Sequence, residues 1–234
     1  VDGPDRTDDV GAGAETLVDQ GACDARGILG AGRGDEDDDP AVGERHLTGG
    51  TSEASVRAVA MVVHKYGGTS LGSIERIRAV ARRVLAERRA NNDIVVVASA
   101  MAGETDRLLG LAREVCGDPD RREADVLASS GEQVAVALLA MAIKNLGGDA
   151  VSLLGHQVRV VTDSLHSRAH IRRVESSRLL DVLRAKKIAV VAGFQGIDES
   201  GDVTTLGRGG SDTTAVAVAA ALGAECCEIF TDVD

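Results

Sequence analysis

Aromatic side chains are nearly missing from this chain, which has one Tyr, two Phe and no Trp among 234 residues. Single-stranded nucleic acid is held on aromatic platforms where bases stack, and this composition offers almost none. An excess of positive charge is missing too. With 26 Lys and Arg against 37 Asp and Glu, the formal net charge is −11, which does not attract a phosphate backbone. Nucleic acid is a poor partner for such a chain. No uninterrupted stretch reaches the ~20 apolar residues of a membrane span, and the first residues lack the basic-then-apolar order of a secretory signal. No membrane partner is expected. Cysteine is sparse: Cys23 and Cys116 stand alone, and Cys226 and Cys227 are neighbours in an apolar run. Adjacent residues face opposite sides of a strand, so the pair reads as buried thiols, neither bridged nor zinc-binding, in a reducing cytoplasm.

The common signatures of nucleotide and hydrolytic sites are also absent. There is no G-x-x-x-x-G-K-[ST], no G-x-G-x-x-G between a strand and a helix, and no G-x-S-x-G elbow. The histidines, at 46, 64, 156, 166 and 170, show no zinc spacing. His166 and His170 are four apart, but the polar, arginine-rich stretch from Ser164 to Arg173 reads as solvated.

What is present divides unevenly along the chain. Residues 1–60 hold 14 acidic against 5 basic side chains and 11 of the 28 glycines, whereas residues 61–234 hold 23 against 21. Low hydrophobicity with high net charge is the composition of disorder. The first 60 residues are therefore expected to be a disordered acidic extension, or upstream sequence read in frame with Met61.

From Met61 onward, apolar runs alternate with helical patterns. Strands are expected at Met61–Tyr66, Ile94–Ala98, Ala150–Leu154, Val158–Thr162, Ile188–Ala192 and Cys226–Thr231. Helices are expected after the Ser73 cap, around Leu108–Val115, and over Val134–Leu146, Ser177–Lys186 and Asp212–Leu222. This alternation predicts an α/β fold with a mainly parallel sheet covered on both faces.

Three glycine-bearing turns precede expected helices. Lys65-Tyr66-Gly67-Gly68-Thr69-Ser70 places an ammonium at a strand exit and lets backbone approach a ligand closely; it equally fits a plain strand–helix turn. Thr204 to Asp212, with Gly207, Arg208, Gly209, Gly210 and Ser211, concentrates donors at a helix start, where arginine can grip a carboxylate or phosphate with two bonds. Capping by Ser211 or Asp212 is expected as well. Ser129-Ser130-Gly131-Glu132 reads either as a capped helix start or as a grip for a substrate ammonium. The segment from Ser99 to Thr105, leaving a strand, can also line a site.

Lys65 to Ser70 and Thr205 to Asp212, together with Ser130-Gly131-Glu132, Val191 to Gly196 and Thr231-Asp232-Val233, resemble aspartokinases of the amino-acid kinase family. The resemblance implies a three-layer αβα sandwich. It implies transfer of the ATP γ-phosphoryl to the side-chain carboxylate of L-aspartate, with Mg²⁺, as the first step toward lysine, threonine, methionine and diaminopimelate. By motif, Lys65 stabilises the transferring phosphoryl, and Asp212 orients Lys65 and helps organise the magnesium site. Tyr66, Gly67, Gly68, Ser99, Thr231 and Asp232 lie on the ATP side. Glu132 holds the substrate ammonium and Arg208 its α-carboxylate, in a loop with Gly209, Gly210 and Ser211, and Gly103, Glu104, Thr105, Asp106 and Arg107 flank the substrate.

The family continues beyond the last strand into a nucleotide-binding stretch and two regulatory ACT domains, and assembles into homo- or hetero-oligomers. The chain is thus expected to be a catalytic domain over residues 61–234, cut at its C-terminal end. The rival readings are a related kinase acting on glutamate, acetylglutamate or a nucleoside monophosphate, and a non-catalytic module binding nucleotide or amino acid.

Overall fold

A computed structural model of the protein describes residues 59–230. The extension expected over residues 1–60 falls almost wholly outside the described residues, as do Thr231 and Asp232. The elements run β1 (Met61–Tyr66), α1 (Ile74–Arg89), β2 (Asp93–Ala98), α2 (Glu104–Cys116), α3 (Arg121–Asn145), β3 (Ala150–Leu153), β4 (Val160–Thr162) and β5 (Ile171–Val174). They continue with α4 (Ser177–Arg184), β6 (Ile188–Ala192), β7 (Gln195–Ile197), β8 (Val203–Thr205), α5 (Gly210–Leu222) and β9 (Cys226–Phe230).

Five strands form a wholly parallel sheet in the order β3-β6-β2-β1-β9. Its apolar runs are continuous because both faces are covered. On one face Val62, Ile94, Val96 and Val190 pack with Ile77 and Val84 of α1 and Leu139 and Ile143 of α3. On the other, Val63, Val95, Val97 and Val191 meet Leu179 and Val182 of α4 and Ala215 and Val218 of α5. The result is the expected α/β sandwich of three layers. Cys226 and Cys227, both half-buried, pack on opposite faces as adjacent strand residues must. The Ser73 hydroxyl caps α1 by accepting from Arg76 N–H at 3.3 Å.

Three features depart from expectation. β4, β5, β7 and β8 form a second, mixed sheet in the order β5-β4-β7-β8, of which only β4 was foreseen. The segment taken as solvated thus contains β5, paired to β4, although Arg172 and Arg173 on it stay exposed. The expected helix Val134–Leu146 is the second half of a longer one: α3 starts at Arg121, capped by the Asp120 carboxylate, and runs through Ser129-Ser130-Gly131. Finally, α3 is long and apolar enough to cross a membrane, contrary to the expectation that no segment is. Half of its most apolar stretch is nevertheless buried against the sheet and neighbouring elements.

Candidate active site

β1, β2, β6 and β9 are parallel, so their C-terminal ends and the loops that leave them gather at one sheet edge. Alternation along β1 sends Val63 and Lys65 toward α5 and sends Val62, His64 and Tyr66 toward α1 and α3. Lys65 is only 7% exposed. Its Nζ lies 2.7 Å from Asp212 Oδ1 on the first turn of α5. A buried ammonium needs such a partner, because leaving it bare in a poorly solvated site is costly.

The turn from β8 into α5 contains two left-handed glycines, Gly207 at φ 78° and Gly209 at φ 74°, flanking Arg208. L-residues pay for that conformation and glycine does not, so the chain folds back tightly on both sides of the arginine. Arg208 is exposed and has no ion pair among the described residues. The expected cap by Ser211 or Asp212 is not found. Gly209 is the N-cap and makes no side-chain cap bond, while Asp212 directs its carboxylate to Lys65.

Glu132 does not begin a helix either. It lies inside α3, at 2% exposure, where Oε1 accepts from Ala100 N–H at 3.1 Å and Oε2 is buried with no hydrogen-bond partner among the described residues. Burial pushes its carboxyl up to about 7, against the partial opposition of the Ala100 bond. Gly131 is tolerated in the helix interior because a Cβ there would stand 3.0 Å from Ala100 Cβ. The glycine is therefore a close-approach residue for the loop leaving β2, not a turn residue.

Lys65, Ser99, Thr105, Asp106, Glu132 and Arg208 line one open cavity of about 560 Å³, along with Gly209, Gly210, Ser211 and Asp212. The remaining expected site residues lie elsewhere. Gly103, Glu104 and Arg107 are not among the lining residues; Glu104 and Arg107 bond each other at 2.7 and 2.8 Å. Tyr66 turns away into the α1–α3 core, its ring stacked 4.8 Å from Phe230. The Gly67 N–H donates to the Phe230 carbonyl at 3.1 Å, so this amide is engaged within the chain. Gly68 matters for closeness, since a Cβ there would lie 2.9 Å from the Ala100 carbonyl oxygen.

Two further residues escaped sequence reasoning. Phe194 lines the cavity with φ at 65°, a conformation that costs a bulky residue roughly 1–3 kcal/mol and tends to cluster at functional sites. Its N–H donates to Thr214 Oγ1 at 3.2 Å. Asp125, one of the lining residues and 1% exposed, accepts hydrogen bonds from Thr205, Ser167 and His166. The available signal was its spacing: Asp125 and Glu132 stand seven apart amid small residues, two helical turns along one face.

A family model described as the amino acid kinase family matches residues 60–234. An aspartate kinase from Pseudomonas fluorescens (strain SBW25) is 56% identical over 178 residues, covering 75% of this chain and 43% of the relative. The chain thus spans less than half the length of the curated relatives it matches. Among solved structures, aspartate kinase from Synechocystis superposes with a TM-score of 0.66 at 48% identity, over 74% of this chain and 28% of that one. E. coli aspartokinase III in complex with aspartate and ADP gives 0.67 at 27% identity, over 74% of this chain and 49% of that one.

Proposed function

The chain belongs to the amino acid kinase family, and from that premise we propose that it carries the catalytic centre of an aspartate kinase. The reaction is transfer of the ATP γ-phosphoryl to the side-chain carboxylate of L-aspartate. One observation carries this reading: a single cavity is lined by Lys65, Arg208 and Glu132, bringing together an ammonium, a guanidinium and a carboxylate whose Oε2 has no hydrogen-bond partner among the described residues. Those groups complement, in turn, a phosphoryl group, an α-carboxylate and an α-ammonium. The similarity to aspartate kinases supports the choice of acceptor.

In this reading Glu132 and Arg208 hold the amino acid by its two backbone charges, leaving the side-chain carboxylate directed at the γ-phosphorus. A carboxylate oxygen attacks phosphorus, the bond from phosphorus to the β–γ bridging oxygen breaks, and ADP leaves with the electron pair. The carboxylate is already ionised at neutral pH, so no general base is required. Catalysis rests on positioning and on charge stabilisation. Lys65 supplies that charge, and Asp212 holds the ammonium toward the reacting oxygens. Ser99 lies on the nucleotide side, and Thr105 and Asp106 flank the amino acid.

No cluster of three metal-ligating side chains occurs among the described residues. A magnesium ion brought in on the ATP phosphates would find Asp212 among the carboxylates lining the cavity and would neutralise phosphate charge. The product, 4-phospho-L-aspartate, opens biosynthesis of lysine, threonine and methionine, in a cytoplasmic enzyme supplied with ATP and free aspartate.

The test is ATP- and Mg²⁺-dependent acyl phosphate formation, trapped as the hydroxamate with hydroxylamine, with aspartate and glutamate offered separately. Hydroxamate from aspartate alone is expected. A folded protein that binds ATP and yields none from aspartate would refute the assignment.

A further inference from the structure

Asp125 is a buried carboxylate that phosphoryl transfer does not use. Oδ1 accepts from Thr205 Oγ1 at 2.6 Å, Oδ2 accepts from Thr205 N–H at 3.1 Å and faces His166 Nδ1 at 2.9 Å, and Ser167 N–H reaches both oxygens at 3.0 Å. The donors come from two separate segments, the loop between β4 and β5 and the end of β8. These segments also touch each other. Ala169 N–H donates to the Thr205 carbonyl at 2.8 Å, and a Cβ on Gly207 would stand 3.4 Å from the Ser167 carbonyl oxygen. Arg208 follows directly on that glycine.

Asp125 thus ties the arginine loop to α3, and α3 is the helix that carries Glu132. Seven residues of α-helix span two turns and roughly 10 Å, and they return a side chain to nearly the same face. We infer that Asp125 is a positioning residue that fixes the separation of Arg208 from Glu132, and with it the length of amino acid the site accepts. This rests on the aspartate-kinase reading. The helix carries Glu132 and its carboxylate at Asp125 holds both segments next to Arg208, so that carboxylate sets where the arginine stands relative to the ammonium grip. Only a carboxylate can do this here. Both oxygens accept, and an amide in its place would turn an NH₂ toward N–H and O–H donors.

The test compares wild type, Asp125→Asn and Thr205→Val in the full chain, by hydroxamate formation with aspartate, glutamate and ATP each varied. Asp125→Asn is expected to raise the KM for aspartate by about 10- to 100-fold, the loss expected of hydrogen bonds to a buried charge. The KM for ATP stays unchanged and the preference for aspartate over glutamate narrows. A merely structural role would not produce that split. Thr205→Val removes one hydroxyl bond to the same carboxylate and keeps side-chain shape, so it shifts the same constant in the same direction by about 3- to 10-fold. It also carries the test alone if Asp125→Asn does not fold. Folded variants with an unchanged KM for aspartate, or with both KM values rising in parallel, would overturn the inference. Wild type silent with aspartate would instead remove the kinase reading, and this inference with it.

Discussion

The two faces of β1 bury titratable groups in opposite ways. On the α1 side His64 is 1% exposed, with its ring edge-on to Phe230 at 5.3 Å, and Arg83 caps the Phe230 ring at 4.2 Å. Burial first, and then the Arg83 charge, lower its pKa to about 4. Nε2 lies 3.2 Å from Glu228 Oε2, and at neutral pH the ring beside that carboxylate is neutral. One residue later, on the α5 side, Lys65 is almost as buried and pairs with Asp212 at 2.7 Å. One face holds a neutral ring among apolar groups, and the other holds a buried ion pair that lines the cavity.

The sharpest way to break this contrast is Lys65→Ala. Turnover should fall by ~10³-fold or more, the scale for removing a group aimed at transition-state charge, while a thermal melt shows a folded protein. Retained turnover would make the matched charge purely structural. Next is Arg208→Ala, which should raise the KM for aspartate by about 10- to 100-fold, with less change in kcat in the same steady-state assay. A third measurement follows Glu132, whose pKa is raised to about 7 by burial. In the role proposed above, its charged form grips the ammonium, so the KM for aspartate should rise as pH falls below about 7, and Glu132→Gln should flatten that profile at a weaker level. The sign for stability is reversed. A carboxyl with a raised pKa stabilises the folded state below its ordinary value, 4.5, and that contribution is lost as pH climbs through about 7.

The smallest expected effect concerns the other face. His64 has a depressed pKa, so its contribution is present above 6.5 and is lost as pH falls toward and through about 4. The loss is on the order of 3 kcal/mol. His64→Leu should reduce that part of the acid dependence in denaturant titrations from pH 7 to pH 4, without affecting turnover at pH 7. An unchanged slope would mean that the ring is charged against Glu228.

The parallel sheet was legible because its strands are mostly apolar runs of four to six residues separated by helices with clear periodicity. Lys65, Arg208 and Asp212 stood out through the glycines around them. Of the second sheet only β4 was legible, for a physical reason. β7 and β8 have three residues each and β5 is Ile-Arg-Arg-Val, too short for a period of two to show and too charged to look buried. Ser129-Ser130-Gly131 looked like a turn because local preference favours one. Contact with Ala100 overrides that preference, and such a contact lies thirty residues away in sequence. Asp125 was hidden differently. A carboxylate in a helical pattern looks solvated until the loops that surround it are in place.

The Lys65–Asp212 pair also has a consequence in time. β1 is the first described strand to be synthesised, yet it lies between β2 and β9, with Lys65 in register with Val97 on one side and Ile229 on the other. At translation rates of about 5–20 residues per second, the lysine precedes its carboxylate partner by on the order of 10 s. Until α5 and β9 emerge, a nascent chain holds a lysine without its partner and an apolar strand with one edge open. Such long-range closure slows folding and leaves exposed edges prone to aggregation. Among the described residues, α5 and β9 therefore complete both the Lys65–Asp212 pair and the cover of β1.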